Sequence, residues 1–283
     1  MIIDMHTHVF PDKIAANVID KLSRTSKSRA FTDGTIRGLL DSMKNSGVDR
    51  SVILPVATNT HQVEKINDSA AALTENFSAN GIISFACIHP DFENYRAELS
   101  RVKNLGLKGV KVHPVYQGVD IDDKKFLRIF DRAAEFDLIV VTHAGLDIGF
   151  PGVERCTPKM IRRVVEAVGE FKFILAHMGG WKNWDEVAEI LAGTNVFVDT
   201  AFSTGKIPAR PDFDWNAADL DLLDAADFMT LEKIFGADKI LFGTDSPWSA
   251  AAESIEFIKN LPLSDADKSK ILGENAAKLL RSI

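Results

Sequence analysis

Short apolar runs recur along the chain, each followed by a stretch long enough for one helix: "MIIDMHTH", "RSVILPV", "IISFACIHP", "LKGVKVHP", "LIVVTHAG", "FKFILAHMGG", "NVFVDTA" and "KILFGTDSP". Several are apolar at consecutive positions, the pattern of parallel strands covered on both faces and not of half-wet antiparallel ones. Between them lie amphipathic segments. In residues 123–137 (DKKFLRIFDRAAEFD) Phe126, Ile129, Phe130 and Ala133 fall on one helical face. Eight strand–helix units in 283 residues predict an α/β chain folded as one (β/α)8 TIM barrel spanning residues 1–283, with an open doubly wound sheet as the other architecture that fits. No repeat, low-complexity tract or Pro/Gly/Ser linker marks a domain boundary.

Two connections are longer than the rest. One runs from Phe10 to Ser51 and carries the polar stretch "SRTSKSRAFTDGT" with Arg24, Lys27 and Arg29; the other runs from Thr200 to about Asp227 and contains "STGKIPARPDFDW". The prolines and aromatics of the second predict an ordered flap and its Gly and Ser equally a mobile one, either over the mouth where loops after barrel strands build sites or as a surface excursion. The final segment opens on Ser264 with Asp267 three residues later, a helix start that predicts a closing helix.

Composition narrows the function. A hydrophobic share of 46% and a charged share of 26% describe a folded chain, and a formal net charge of −7 without a Lys/Arg-rich run offers no footprint for a polyanion. The partner expected is a small-molecule substrate, with neither nucleic acid nor membrane, and nothing in the sequence indicates a homo-oligomer. Two cysteines, Cys87 and Cys156, make no disulfide framework. With no signal-like N-terminus and no apolar run long enough to cross a bilayer, the chain is expected in the cytoplasm.

Six of the seven histidines, His6, His8, His89, His113, His143 and His177, stand at or near the downstream ends of the predicted strands, and only His61 lies elsewhere. In a barrel those ends share one mouth. On a regular strand Asp4, His6 and His8 would point the same way, either as the wet face of an edge strand or as two imidazoles gripping a metal ion. Asp245, after the eighth run, adds an anionic oxygen that can bind a cation and accept a proton. Imidazole nitrogen with carboxylate oxygen suits zinc and its first-row neighbours, and a zinc-bound water makes hydrolysis the default chemistry. Lys111 and His113 share a face of the fourth strand and are candidate substrate contacts; a lysine inside a barrel calls for a partner, a modification or a wet mouth.

"DMHTH", "THAG", "AHMGG", "GTDSPW" and the ending "ILGENAAKLL" resemble the amidohydrolase superfamily, and within it the amidohydrolase-2 branch that includes aminocarboxymuconate semialdehyde decarboxylase and related decarboxylases and hydrolases. The resemblance spans the whole chain. It implies that His6, His8, His143 and Asp245 bind the metal and that His177 stays off it, moving protons or polarising substrate. It favours one ion, zinc first, while leaving a two-ion arrangement in which a carboxylated Lys111 bridges the pair.

The expected activity is metal-dependent hydrolysis of a C–N or C–O bond in a small carboxylated substrate, with Asp245 taking the proton of the attacking water, His177 stabilising the oxyanion, and Lys111 and His113 holding the substrate. The planar fork of Arg24 or Arg29 would suit its carboxylate, with a solvated surface position the favoured reading for each. The alternative is a non-oxidative decarboxylase on the same metal site, and a barrel that only binds metal or ligand is the reading from outside enzymology.

Overall fold

The computed structural model describes residues 1–281. Among the described residues nine strand segments, all paired in parallel, build the sheet: β1 (Ile3–Thr7), β2 (Arg50–Ile53), β3 (Ile82–Ser84), β4 (Ala86–Cys87), β5 (Gly109–Val112), β6 (Ile139–Thr142), β7 (Phe173–Leu175), β8 (Phe197–Asp199) and β9 (Ile240–Leu241). They form ladders of order β1-β2-β3 and β4-β5-β6-β7-β8-β9. Backbone bonds join the ladders at both edges. The Phe85 amide donates to the Ile53 carbonyl at 2.9 Å, carrying the β2 pairing across the break between β3 and β4, and the Met5 amide donates to Phe242 at 2.8 Å, closing β9 onto β1. β3 and β4 are therefore one stave, and eight staves close a single (β/α)8 barrel.

The inward layer of the strands holds Ile3, Met5, Val52, Leu54, Phe85, Ile139, Val141, Ile174 and Leu241, and Ala276, Ala277, Leu279 and Leu280 of the closing helix pack into the same cluster. That helix starts at Asp265 with the Ser264 hydroxyl accepting from the Asp267 amide, passes through a π-turn at Lys270–Glu274 and ends as Asn275–Arg281. It seals the barrel at the N-terminal ends of the strands; the last two residues of the predicted segment lie outside the described residues. Gly109 is forced by crowding in this interior. A Cβ there would stand 2.5 Å from the Ile139 carbonyl and 2.6 Å from the Phe85 ring. The opposite face of the strands packs against the surrounding helices, among them Lys124–Glu135, capped by Asp123 and burying Phe126, Ile129, Phe130 and Ala133.

The first long connection folds as two helices, Asp12–Ser26 and Ile36–Ser46, and the stretch between them meets the flap. Arg29 donates its amide to Pro208, Arg210 to Lys27, and the Trp215 indole to the Lys27 carbonyl. The flap is thus pinned, and its Phe202, Ile207 and Leu222 cluster with Trp181, with Trp184, Trp215 and Trp248 against them.

One expectation fails at β1. Asp4 pairs with Ser51 and Thr7 with Ile53, so three steps of β1 oppose two of β2. This bulge breaks the period-two alternation. Asp4, His6 and His8 do not converge as a set: the Asp4 carboxylate binds the amides of His6 and Thr244 and the Thr244 hydroxyl.

Phe85 fills the barrel where its third stave breaks and is fully buried. Phe85→Ala is expected to lower stability by about 3–5 kcal/mol in urea unfolding, the cost of a cavity in a close-packed core.

Candidate metal centre

β1 runs into the mouth and delivers two imidazoles. The Nδ1 of His6 lies 2.8 Å from Asp199 Oδ2 and that of His8 lies 2.8 Å from the Leu54 carbonyl. Each Nδ1 is held as the donor, which leaves each Nε2 with a lone pair. The two Nε2 atoms are 3.2 Å apart. Asp245 Oδ1 completes a triangle, 3.4 Å from His6 Nε2 and 3.0 Å from His8 Nε2. Three donors around one ion at bonds of about 2.1 Å stand about 3.0 Å apart at right angles and about 3.4 Å apart in a tetrahedron. The observed edges span that range, and two opposed lone pairs beside a carboxylate repel one another unless a cation lies between them. The donor set fits a divalent ion. His6 is buried, while the side chains of Asp245 and His8 are 13% and 19% exposed, so the group opens towards solvent on one side.

Electrostatics agree with ligand duty. Burial pushes His6 well below the ordinary imidazole value and nearby Lys111 adds to the effect, keeping the ring neutral. Burial would raise Asp245, but His6 and His8 outweigh it and hold its carboxyl at about 2. Asp245 also sits at φ +61°, in the left-handed region that a non-glycine residue occupies under strain.

Asp199, at the end of β8, was not among the residues expected at the site. Its Oδ2 faces His6 Nδ1, and its Oδ1 accepts the amides of His177 at 2.9 Å and Ala201 at 3.1 Å. One buried carboxylate thereby fixes the tautomer and tilt of His6 and the start of the His177 segment, as a carboxylate behind a metal-binding histidine does. It carried the same signal as the histidines, a polar residue closing an apolar strand.

His143 stands beside this triangle. Its Nε2 lies 3.0 Å from the Leu146 carbonyl and its Nδ1 3.1 Å from His177 Nε2, whose own Nδ1 lies 2.8 Å from Ala201 O. The ring of His143 stacks on that of His113 at 4.3 Å and 12°, and Asp147 Oδ2 lies 3.5 Å from His113 Nε2 and 3.9 Å from His143 Nε2. Stacked rings send their lone pairs parallel, so His113, His143 and Asp147 form a hydrogen-bonding group and a poor ion cage. Asp147 lies in an irregular loop that gave no sequence signal. Gly145 lets this loop reach its neighbour: at φ +86° a Cβ would meet the Trp181 amide at 2.1 Å.

Lys111 is buried with Nζ 3.3 Å from His6 Nε2, and burial lowers its amine to about 8 against the pull of Asp199 and Asp245. His113 also accepts the Tyr116 amide at 3.5 Å. His89 accepts the Asp91 amide, a local turn contact. Arg24 pairs with Asp20 on the surface, and Arg29 lies over the Phe31 ring.

The closed (β/α)8 barrel gathers its histidines and carboxylates at the downstream strand ends, the face on which barrels of this kind carry their sites. The chain belongs to the amidohydrolase family, in its amidohydrolase-2 branch: the family model matches residues 3–282. No curated protein matches the chain in sequence. Among solved structures it resembles 5-carboxyvanillate decarboxylase from Sphingomonas paucimobilis, at 16% identity and TM-score 0.69 over 99% of this chain and 98% of the other. It resembles 2,6-dihydroxybenzoate decarboxylase from Rhizobium at 16% identity and TM-score 0.67, over 99% and 98%. A third is dihydroxybenzoic acid decarboxylase from Polaromonas sp. JS666 with bound manganese and 2-nitroresorcinol, at 16% identity and TM-score 0.68, over 99% and 96%. At these identities the likeness is one of fold. Among the described residues no helix is long and apolar enough to cross a membrane.

Asp199→Asn replaces the carboxylate on His6 Nδ1 with an amide and is expected to weaken Mn²⁺ affinity about 10- to 100-fold. Titration of chelator-treated protein followed by the free Mn²⁺ resonance signal reads this directly; unchanged affinity would remove Asp199 from the site.

Proposed function

We propose that the chain is a non-oxidative decarboxylase of a small carboxylic acid, dependent on one divalent ion held by His6, His8 and Asp245, with His143 the next imidazole able to complete the shell. The observation that carries this reading is the triangle of two Nε2 atoms and one carboxylate oxygen at ligand spacing. Manganese or zinc suits that donor set equally. The fold likeness to three enzymes named as decarboxylases favours loss of CO2 over the hydrolysis that zinc-bound water alone would suggest.

When bound, the ion supplies a Lewis acid that holds a substrate oxygen and withdraws charge from the neighbouring carbon. The rest falls to side chains. Lys111 and His113 hold the substrate anion. In an acid whose carboxylate sits on an unsaturated, electron-rich carbon, the reaction adds a proton to that carbon using its π pair, and the C–C bond then breaks, its electron pair restoring the π bond as CO2 leaves. Asp245, with its carboxyl at about 2, serves as a ligand and a proton acceptor and is a poor proton donor. His177 is the residue this geometry offers for moving the proton: Nδ1 is tied to Ala201 and Nε2 faces His143.

Hydrolysis by two ions has one specific observation on its side. With His143 Nε2 donating to Leu146 and His177 Nδ1 donating to Ala201, His143 Nδ1 and His177 Nε2 oppose lone pairs at 3.1 Å, a place for a second cation beside a carboxylated Lys111.

Mn²⁺- or Zn²⁺-loaded protein incubated with a panel of hydroxylated benzoic acids, lactones and amides is expected to release CO2 from an acid with formation of the C–H product. His177→Gln is expected to reduce that turnover about 10²- to 10⁴-fold, the span of a lost general acid. Hydrolysis products without CO2, at a reproducible two ions per chain, would overturn the decarboxylase reading in favour of the two-ion one.

A further inference from the structure

Asp4 is a buried carboxylate that the proposed chemistry does not use. Among the described residues its side chain meets no cation. Oδ1 accepts the His6 amide at 3.1 Å and the Thr244 amide at 3.0 Å, and Oδ2 accepts the Thr244 hydroxyl at 2.6 Å. The Thr244 hydroxyl in turn accepts the Ser246 amide at 2.9 Å. These bonds tie the bulge of β1, which carries His6 and His8, to residues 244–246, which carry Asp245. Two backbone bonds continue the seam: Asp245 donates to the His6 carbonyl at 2.8 Å, and His8 donates to Ser246 at 2.7 Å.

We infer that Asp4 and Thr244 form a positioning clamp that sets the spacing of the three metal ligands by locking the His6–His8 strand to the Asp245 turn. The inference rests on the metal reading of His6, His8 and Asp245. The physical reason lies in two local departures from relaxed backbone that meet here. β1 bulges between Asp4 and Thr7, and Asp245 sits at φ +61°; such backbone persists only where surrounding bonds over-determine it. The clamp supplies those bonds to both sides of the site at once. Without the Thr244 hydroxyl, Oδ2 of Asp4 and the Ser246 amide lose their shared partner, and the turn is free to relax with the Asp245 carboxylate moving off the Nε2 pair. Asp4 and Thr244 touch no ligand nitrogen or oxygen themselves; they act through backbone.

The test uses full-length, chelator-treated protein and compares the parent with Thr244→Val, Thr244→Ser and Asp4→Asn. Mn²⁺ affinity by calorimetry, the visible absorption of the Co²⁺ form and the unfolding midpoint of the metal-free protein are read for each. Thr244→Val keeps the side-chain shape without the hydroxyl. It is expected to weaken Mn²⁺ about 10- to 100-fold, the usual range for losing an outer-shell partner, and to change the Co²⁺ bands, whereas Thr244→Ser restores both. Asp4→Asn, which still offers one carbonyl oxygen, is expected to fall between. A clamp that only supports the fold would lower the metal-free midpoint while leaving Mn²⁺ affinity and Co²⁺ bands at the parent values, and that result would overturn the inference. If Thr244→Val fails to fold, parent-like affinity and bands in Asp4→Asn would overturn it equally. A parent that binds neither Mn²⁺ nor Co²⁺ would overturn the metal reading itself, and the clamp with it.

Discussion

Two imidazole lone pairs and a carboxylate oxygen, all within 3.4 Å of one another, cannot rest together in a partly buried mouth without positive charge among them. That demand orders much of what surrounds it. His6 and His8 each have the other nitrogen anchored, one on Asp199 and one on the Leu54 carbonyl, so neither ring can relieve the opposition by flipping. Lys111 stands 3.3 Å from His6 Nε2 and brings a buried amine to the triangle. The barrel contributes closure: His6 and Asp245 lie 239 positions apart in the chain, yet the bond from Met5 to Phe242 places their segments edge to edge.

Two groups of side chains divide the mouth. The triangle of His6, His8 and Asp245 has converging lone pairs and suits a cation. The stacked pair of His113 and His143 with Asp147 has parallel ones and suits hydrogen bonding to substrate or proton exchange. His177 stands between them, its Nε2 on His143 and its amide on the same Asp199 that holds His6. Like Asp245, His177 lies at positive φ, +61°, and Met178 follows at +52°. Strain of this kind, about 1–3 kcal/mol per residue, gathers where surrounding structure fixes a functional side chain. The flap and the first connection, pinned by backbone bonds at Lys27, Arg29, Pro208 and Arg210, complete the wall above.

Most of this barrel was legible because strand ends in a (β/α)8 fold carry chemistry, so apolar runs ending in histidine located both staves and mouth. The helix at Lys124–Glu135 and the closing helix followed from periodicity and caps that tertiary packing did not override. What escaped depended on distant contacts. A uniform two-residue alternation put Asp4 with the imidazoles, whereas the bulge in β1 sends its carboxylate to Thr244, 240 positions away. Asp199 obeyed the strand-end rule and was missed because it is not a histidine. The loop after β6 decides where His143 turns, through Leu146 and Gly145, and no local pattern reveals that its Nδ1 meets His177. Arg24 and Arg29 take the favoured surface positions, pairing with Asp20 and lying over Phe31, arrangements set by the helix and flap around them.

The central claim is that His6 Nε2, His8 Nε2 and Asp245 Oδ1 share one cation. Crystals of the protein loaded with Mn²⁺ or Zn²⁺, measured on both sides of the metal absorption edge, test it most directly. The account predicts an anomalous peak inside that triangle, about 2.0–2.2 Å from each of the three atoms. A loaded crystal with metal bound elsewhere, or with the triangle spread apart and no anomalous peak within it, would contradict the account.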